Sequence, residues 1–148
     1  MRGCVILARL IFSIAIFFAV CLVSCAKSAW GTDMDVAKEQ AMKKRQTILL
    51  HLSSSEAKET QGDFCAILDS ADFMKVAAKT HTLMRYKFSD ADISAEKQQD
   101  IRNTYSFEED NTLYILSAEG YVLSVILYQE DFTTVQAVLN ALIDAERN

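Results

Sequence analysis

Four cysteines are the side chains of this 148-residue chain best suited to covalent chemistry. Cys4, Cys21 and Cys25 fall in or at the edge of an apolar N-terminal segment, which leaves Cys65 as the one thiol of the part expected to fold. No two of the four have the Cys-x-x-Cys spacing that lets one thiol attack a disulfide and the other release the product. Because a lone thiol cannot form an internal disulfide, the domain must be stabilised by its core.

Cys65 has two interpretations. A reactive thiolate needs exposure and a nearby positive charge or helix start, whereas the neighbours Asp63 and Asp69 are acidic and would raise the pKa of the thiol. The sequence therefore favours a half-buried helix cysteine that packs with Phe64 and Leu68. A reactive thiol, or an intermolecular disulfide that gives a dimer, is the alternative.

Two histidines and one carboxylate run are the other groups that could do chemistry. His51 and His81 have no cluster of cysteines or carboxylates beside them that would make a metal signature. The run from Glu108 to Asp110 lacks the alternating ligands and the glycine of a calcium loop. We predict structural or surface histidines, a solvated acidic loop, no metal and no cofactor.

Hydrophobic periodicity places these residues on alternating helices and strands. The apolar run from Thr47 to Leu52 suits a strand that is buried on both faces, hence a central strand. Segments 111–116 and 121–127, joined by a turn in which Gly120 supplies a positive φ, predict a hairpin. The other expected elements are a helix from a cap at Thr32 or Asp33 to about Arg45, helical segments at 64–68 and 71–79, a strand at 80–88, a helix at 95–105 capped by Ser94, and a last helix capped by Thr133 or Thr134.

The second half of the chain is expected to bury its aromatic side chains. The helix at 95–105 is mostly polar and should lie at the surface, with Ile101 and Tyr105 pointing inward. First candidates for core and sheet packing, rather than for a ligand site, are Phe107, Tyr114, Tyr121 and Tyr128.

Four short stretches carry a resemblance to the thioredoxin-like family, in particular to its secreted bacterial members. They are Leu52-Ser53-Ser54-Ser55, Asp72-Phe73, Tyr105-Ser106-Phe107 and the run from Asn111 to Leu116. Their order and spacing cover nearly all of the chain from residue 30 to residue 143. The resemblance implies an α/β fold, a thioredoxin-like three-layer α/β/α sandwich with a mixed central sheet of about four strands.

The residues that depart from the family pattern are those that would do its chemistry. Lys58 and Gln61 lie about where the two redox cysteines would be, with Ala57 and Thr60 as the alternative alignment, and neither choice provides a thiol. Asn111 stands at the family's cis-proline position in a chain without proline. A cis bond before another residue costs roughly 2.5 to 4 kcal/mol, so we expect a trans bond there. The resemblance thus implies a fold that has lost disulfide exchange.

The N-terminal segment has the features of a secretory leader. Arg2 and Arg9 precede an apolar run from Leu10 to Val23, broken only by Ser13. That run is short for a membrane span, which needs about 20 apolar residues, although counting from Cys4 brings it close. The folded part is therefore expected outside the cytoplasm.

The leader ends in Leu22-Val23-Ser24-Cys25, which resembles the lipobox of bacterial lipoproteins, whose cysteine receives the lipid. Ala26 after the cysteine favours the outer membrane by the same resemblance. Ordinary cleavage after Ala26 or Ala29, or an uncleaved anchor, is the alternative. We expect a lipoprotein-type signal peptide over 1–24, a tether over 25–30 and the thioredoxin-like domain over 31–148, on the periplasmic side of the envelope.

The acidic composition of the chain limits the classes of partner that it is expected to bind. Removing Arg2 and Arg9 leaves 13 basic against 20 acidic residues, an acidic balance that does not favour nucleic-acid binding. No catalytic constellation is present, so we predict a redox-inactive module that binds another envelope protein or peptide near residues 56–61 and 108–111 and reaches the membrane through its lipid anchor. The alternative is a single-thiol oxidoreductase or redox sensor that uses Cys65.

Overall fold

The computed structural model describes residues 29–54, 59–90, 93–107 and 111–147, and it leaves the side chains of residues 59–62 undescribed. The expected signal peptide, the lipid site at Cys25, the position of Lys58 and the acidic run from Glu108 to Asp110 lie outside these ranges. Of Gln61 only the backbone is described. The predictions that concern these residues therefore stay predictions.

The described residues form five helices and four strands in the expected order. The helices are α1 (Met34–Lys44), α2 (Glu59–Leu68), α3 (Ala71–Ala77), α4 (Ala95–Tyr105) and α5 (Val135–Arg147); the strands are β1 (Thr47–Ser53), β2 (His81–Lys87), β3 (Thr112–Leu116) and β4 (Val122–Leu127). Side-chain oxygens cap four of the described helix starts: Asp33 accepts from the Asp35 amide (2.9 Å), Ser70 from the Phe73 amide (3.2 Å), Ser94 from the Lys97 amide (3.3 Å), and Thr134 from the Ala137 amide (3.2 Å). Asp33 and Thr134 are thus the caps where the sequence left two candidates open, and Ser94 is the cap that it predicted.

The four strands make one mixed sheet in the order β2-β1-β3-β4. β1 runs parallel to β2, from Thr47 beside His81 to Ser53 beside Lys87, and antiparallel to β3. The hairpin partner β4 pairs antiparallel with β3 and ends the sheet. The predicted central strand and the predicted hairpin are therefore both confirmed.

Helices cover both faces of this sheet, which gives the three layers. On one face α2, α3 and α5 bury an apolar cluster that includes Phe64, Phe73 and Val138 with Leu49 and Leu113 of the sheet. On the other face α1 and α4 bury a second cluster, to which Ala41, Ile48, Met84, Ile101 and Tyr114 belong. The predicted fold class is thus confirmed. Leu49 of β1 and Leu113 of β3 point to the face of the sheet that α2 covers.

The hairpin shows where the sequence was right and where it was wrong. Gly120 has a φ of 96°, in the region that favours glycine, so the backbone of the turn requires this residue. Phe107 and Tyr114 are buried as predicted, and Tyr128 packs on Phe64 with ring centroids 5.4 Å apart. Tyr121 was expected to pack and is instead 74% exposed, because it lies at the entry to the outermost strand of the sheet.

Candidate functional site

The structure brings two of the predicted site residues together, Cys65 of α2 and Asn111 at the start of β3. The Cys65 thiol donates to the side-chain oxygen of Asn111 across 3.4 Å, although 46 residues separate them in sequence. Gln61 lies one helical turn before Cys65 in the same helix. The second half of α2 therefore faces the residue that precedes β3.

Asn111 is fully buried and has a φ of 58°, in the left-handed region. Asparagine tolerates this conformation better than most residues with a side chain. The peptide bonds within the described ranges include no cis bond, while the bond from residue 110 to Asn111 lies outside them. Asn111 therefore holds its place by conformation and burial, and the trans bond before it stays a prediction.

His51 of β1 is the second donor to the same amide oxygen. Its Nε2 lies 3.1 Å from Oδ1 of Asn111. Because that oxygen can only accept, Nε2 carries the proton, and the neutral ring then has an unprotonated Nδ1. Among the described atoms Nδ1 has no hydrogen-bond partner. Oδ1 of Asn111 thus accepts two hydrogen bonds, one from His51 of β1 and one from Cys65 of α2.

Burial determines the charge of His51. Its pKa is lowered to about 3, chiefly by desolvation and also by the positive charge of Arg85, while the hydrogen bond to Asn111 opposes the shift. The ring packs edge-on against Phe64, with centroids 6.1 Å apart. A neutral, enclosed histidine of this kind fits the structural role that the sequence favoured, since at neutral pH the ring is not in the imidazolium form that acts as a general acid.

Cys65 is half-buried, as the sequence predicted. Burial raises the pKa of its thiol, and Asp69 raises it further, while the positive charges of Arg85 and Lys87 act in the opposite direction. Of the two acidic neighbours that the sequence named, Asp69 contributes to this shift, and burial is the larger cause. The thiol is accordingly protonated at neutral pH, the form that does not attack disulfides.

Arg85 of β2 is the site residue that sequence reasoning missed. It is 6% exposed, its guanidinium carbon lies 4.3 Å from the centre of the Trp30 ring, and Nη1 donates to Oδ1 of Asp69 at 2.5 Å. Nε and Nη2 have no hydrogen-bond partner among the described atoms. The available signal was its position: an arginine inside an apolar strand, in register with His51 on β1.

A cavity of about 620 Å³ lies beside α2 and the segment that follows β4. Ile67, Tyr128 and Phe132 supply apolar wall, while Asp63 and Glu130 place carboxylates in its lining. Phe64 connects this wall to the buried site, because its ring packs on Phe132 (5.8 Å) as well as on His51. The arrangement gives α2 an outer surface that can accept an apolar group next to negative charge.

The described residues contain no group of three or more histidine, cysteine, aspartate or glutamate side chains placed to hold a metal ion. No helix in the described part of the chain is both long and apolar enough to cross a membrane.

Comparison with known proteins finds similarity in structure alone, since no family model and no curated protein sequence matches this chain. The DsbH oxidoreductase superposes with a TM-score of 0.62 at 16% identity, covering 80% of this chain and 83% of its own. A poplar thioredoxin h mutant gives 0.53 at 10% identity, covering 83% and 89%. A putative disulphide isomerase from Bacteroides thetaiotaomicron gives 0.52 at 11% identity, covering 76% and 93%. The chain has a thioredoxin-like α/β fold.

Proposed function

We propose that this thioredoxin-like chain is a redox-inactive module that binds another protein or peptide at the bacterial cell envelope, where a lipid on Cys25 anchors it. One observation carries the proposal. The thiol nearest to the place of a redox pair, that of Cys65, is half-buried and bonded inward to Asn111. No second cysteine is present in the described part of the chain to resolve a mixed disulfide.

The chemistry of disulfide exchange explains why this observation matters. A thiolate must attack a substrate disulfide, and a second thiol must then displace the mixed disulfide so that reduced substrate leaves. Cys65 favours its protonated form, and its hydrogen bond to Asn111 orients the proton toward the interior. Attack would require the thiol to leave that bond and lose its proton before meeting a substrate.

The cavity beside α2 supports the binding role. Its apolar wall and its two carboxylates suit a partner side chain with an aliphatic stem and a positive end, such as lysine or arginine. It lies on the same helix as Gln61, although none of its lining residues belongs to the partner surface predicted at 56–61 and 108–111. Crosslinking in the native membrane, followed by identification of the attached chain, would name the partner.

A single-thiol oxidoreductase or redox sensor that uses Cys65 is the second candidate. Arg85 and Lys87 favour it, because their positive charges lower the pKa of the thiol. Burial and Asp69 act against them, and burial is the largest contribution. We therefore rank this function below binding.

Thiol labelling separates the two candidates. In the native protein at pH 7, alkylation of Cys65 is expected to be at least about tenfold slower than in the unfolded chain, because the thiol is protonated and half-buried. Mass spectrometry of the peptide that contains Cys65 reads this residue apart from the other cysteines. The protein is also expected to leave the rate of disulfide-substrate reduction by dithiothreitol at its uncatalysed value.

The contrary result is equally specific. Rapid labelling of the native protein, together with catalysis that Cys65→Ser abolishes, would overturn redox inactivity and favour the second candidate. Circular dichroism of Cys65→Ser confirms that the variant has folded.

Membrane attachment is tested at Cys25. The substitution Cys25→Ser removes the thiol that would receive the lipid, so the protein is expected to move from the membrane fraction to the soluble fraction of the envelope. Cys21→Ser, four residues earlier in the leader, is the matched control and should stay in the membrane fraction. A Cys25→Ser protein that stays membrane-bound would favour an uncleaved anchor, and a soluble wild-type protein would favour ordinary cleavage.

A further inference from the structure

Three buried nitrogen atoms on neighbouring strands have no hydrogen-bond partner among the described atoms. They are Nδ1 of His51 on β1, and Nε and Nη2 of Arg85 on β2. His51 is fully buried and Arg85 is 6% exposed, and bulk solvent does not reach the three atoms. Native proteins pair nearly all buried polar groups, because an unpaired one in the interior costs stability. The three nitrogens therefore indicate a small polar ligand inside the protein.

The two side chains lie on the same face of the sheet. His51 and Arg85 are directly opposite each other in the parallel pairing of β1 with β2. Each follows by two residues a leucine, Leu49 or Leu83, of the apolar cluster beneath α2, α3 and α5, and alternate residues of a strand share a face. Both also lie near Trp30: the Arg85 guanidinium carbon is 4.3 Å from the centre of that ring, and the centroid of the His51 ring is 6.1 Å away. The unpartnered atoms thus belong to one interior region beside Trp30.

The three atoms are complementary in hydrogen bonding. Because Nε2 of His51 donates to Asn111, Nδ1 of the neutral ring can only accept. Nε and Nη2 of Arg85 can only donate, and together they form one edge of the planar guanidinium. A molecule that accepts from this edge and donates to the imidazole would satisfy all three atoms. Water has two lone pairs and two protons, and a buried water typically makes about three hydrogen bonds.

A deprotonated anion fits this set of atoms less well than water. It could accept from Arg85, but it has no proton to donate to Nδ1 of His51. The charge of Arg85 is moreover already paired, since its Nη1 donates to Oδ1 of Asp69. The ligand class that the atoms favour is therefore a neutral molecule of the size of water.

We propose that one internal water molecule binds between His51 and Arg85, where it accepts from Nε and Nη2 and donates to Nδ1. This water completes a closed polar ring. Cys65 and His51 both donate to Asn111, the water joins His51 to Arg85, Arg85 donates to Asp69, and the Asp69 amide donates to the Cys65 carbonyl oxygen (3.0 Å). The ring links α2 with β1, β2 and the residue before β3. It fixes the His51 ring and, through that ring, the amide oxygen that orients the Cys65 thiol inward.

A crystal structure of the full chain that resolves ordered water tests the site directly. One solvent peak is expected within about 2.6 to 3.2 Å of Nδ1 of His51 and of Nε or Nη2 of Arg85. A protein oxygen in that position, or no peak there, would overturn the proposal. Soaking with bromide tests for an anion: an anomalous peak at the site would overturn the proposal, whereas an unchanged water peak supports it.

Nuclear Overhauser effects give an independent measurement in solution. The Hε1 proton of His51 is bonded to the carbon next to Nδ1, so a cross-peak between Hε1 and water is expected in the wild type. Arg85→Met removes both guanidinium donors and is expected to abolish this cross-peak. Asp69→Ala, the matched control, leaves both donors in place and is expected to retain it.

Circular dichroism confirms that both variants have folded, and the wild-type cross-peak decides the matter if one of them has not. A folded wild type without the cross-peak, or a folded Arg85→Met protein that retains it, would overturn the proposal.

Discussion

Acidification from pH 6.5 toward pH 3 is expected to lower the free energy of unfolding by up to about 5 kcal/mol through His51 alone. The folded-state pKa of His51 is about 3, whereas an exposed histidine titrates near 6.5. Between these values the unfolded chain binds a proton that the folded chain excludes. The stabilisation is therefore complete above pH 6.5 and is lost as the pH falls toward 3.

Denaturant titrations at several pH values between 7 and 4 measure this dependence. His51→Gln is expected to flatten it, because glutamine does not titrate. Burial also lowers the pKa of His81, which Glu146 opposes, so His81 acts in the same direction and His81→Gln measures its share. A wild type whose stability is constant from pH 7 to 4 would contradict the burial of neutral His51.

Removing the carboxylate partner of the buried arginine has the second large effect. Asp69→Ala is expected to lower the free energy of unfolding by about 2 to 3 kcal/mol, because the Arg85 guanidinium loses its charged acceptor inside the protein. This loss of stability is smaller than that expected for a fully buried ion pair, because the Asp69 side chain is 47% exposed. Chemical denaturation of wild type and variant at pH 7 gives the difference.

A double variant shows whether the cost comes from the unpaired charge. Adding Arg85→Met to Asp69→Ala replaces the guanidinium by an apolar group of similar length that can still contact Trp30. The double variant is expected to recover most of the stability that Asp69→Ala loses, since apolar replacement of a buried ion pair is often neutral or stabilising. A double variant less stable than Asp69→Ala would contradict the argument.

The sequence predicted the fold well because its signals are local. The apolar run from Thr47, the caps at Asp33 and Ser94, and Gly120 each act over a few residues, and together they give the element order. The mixed sheet then follows from connection rules. These rules do not depend on which side chains meet across the core.

The site was predicted less completely because its contacts are long-range. His51 and Asn111 are 60 residues apart, and no periodicity announces that the same amide oxygen also accepts from Cys65. Arg85 was missed because an arginine in a strand is normally assigned to an outward face. The prediction that Tyr121 packs was wrong for a related reason. Whether an edge strand is covered depends on how the helices are placed across the sheet, and no local sequence pattern gives that placement.

The shared amide oxygen of Asn111 also limits which residues position 111 can accept. Proline at this position would remove the acceptor for both the His51 ring and the Cys65 thiol. Two interior donors would then be unsatisfied. The identity of residue 111 is therefore constrained by two other elements, β1 and α2, as well as by its own left-handed backbone.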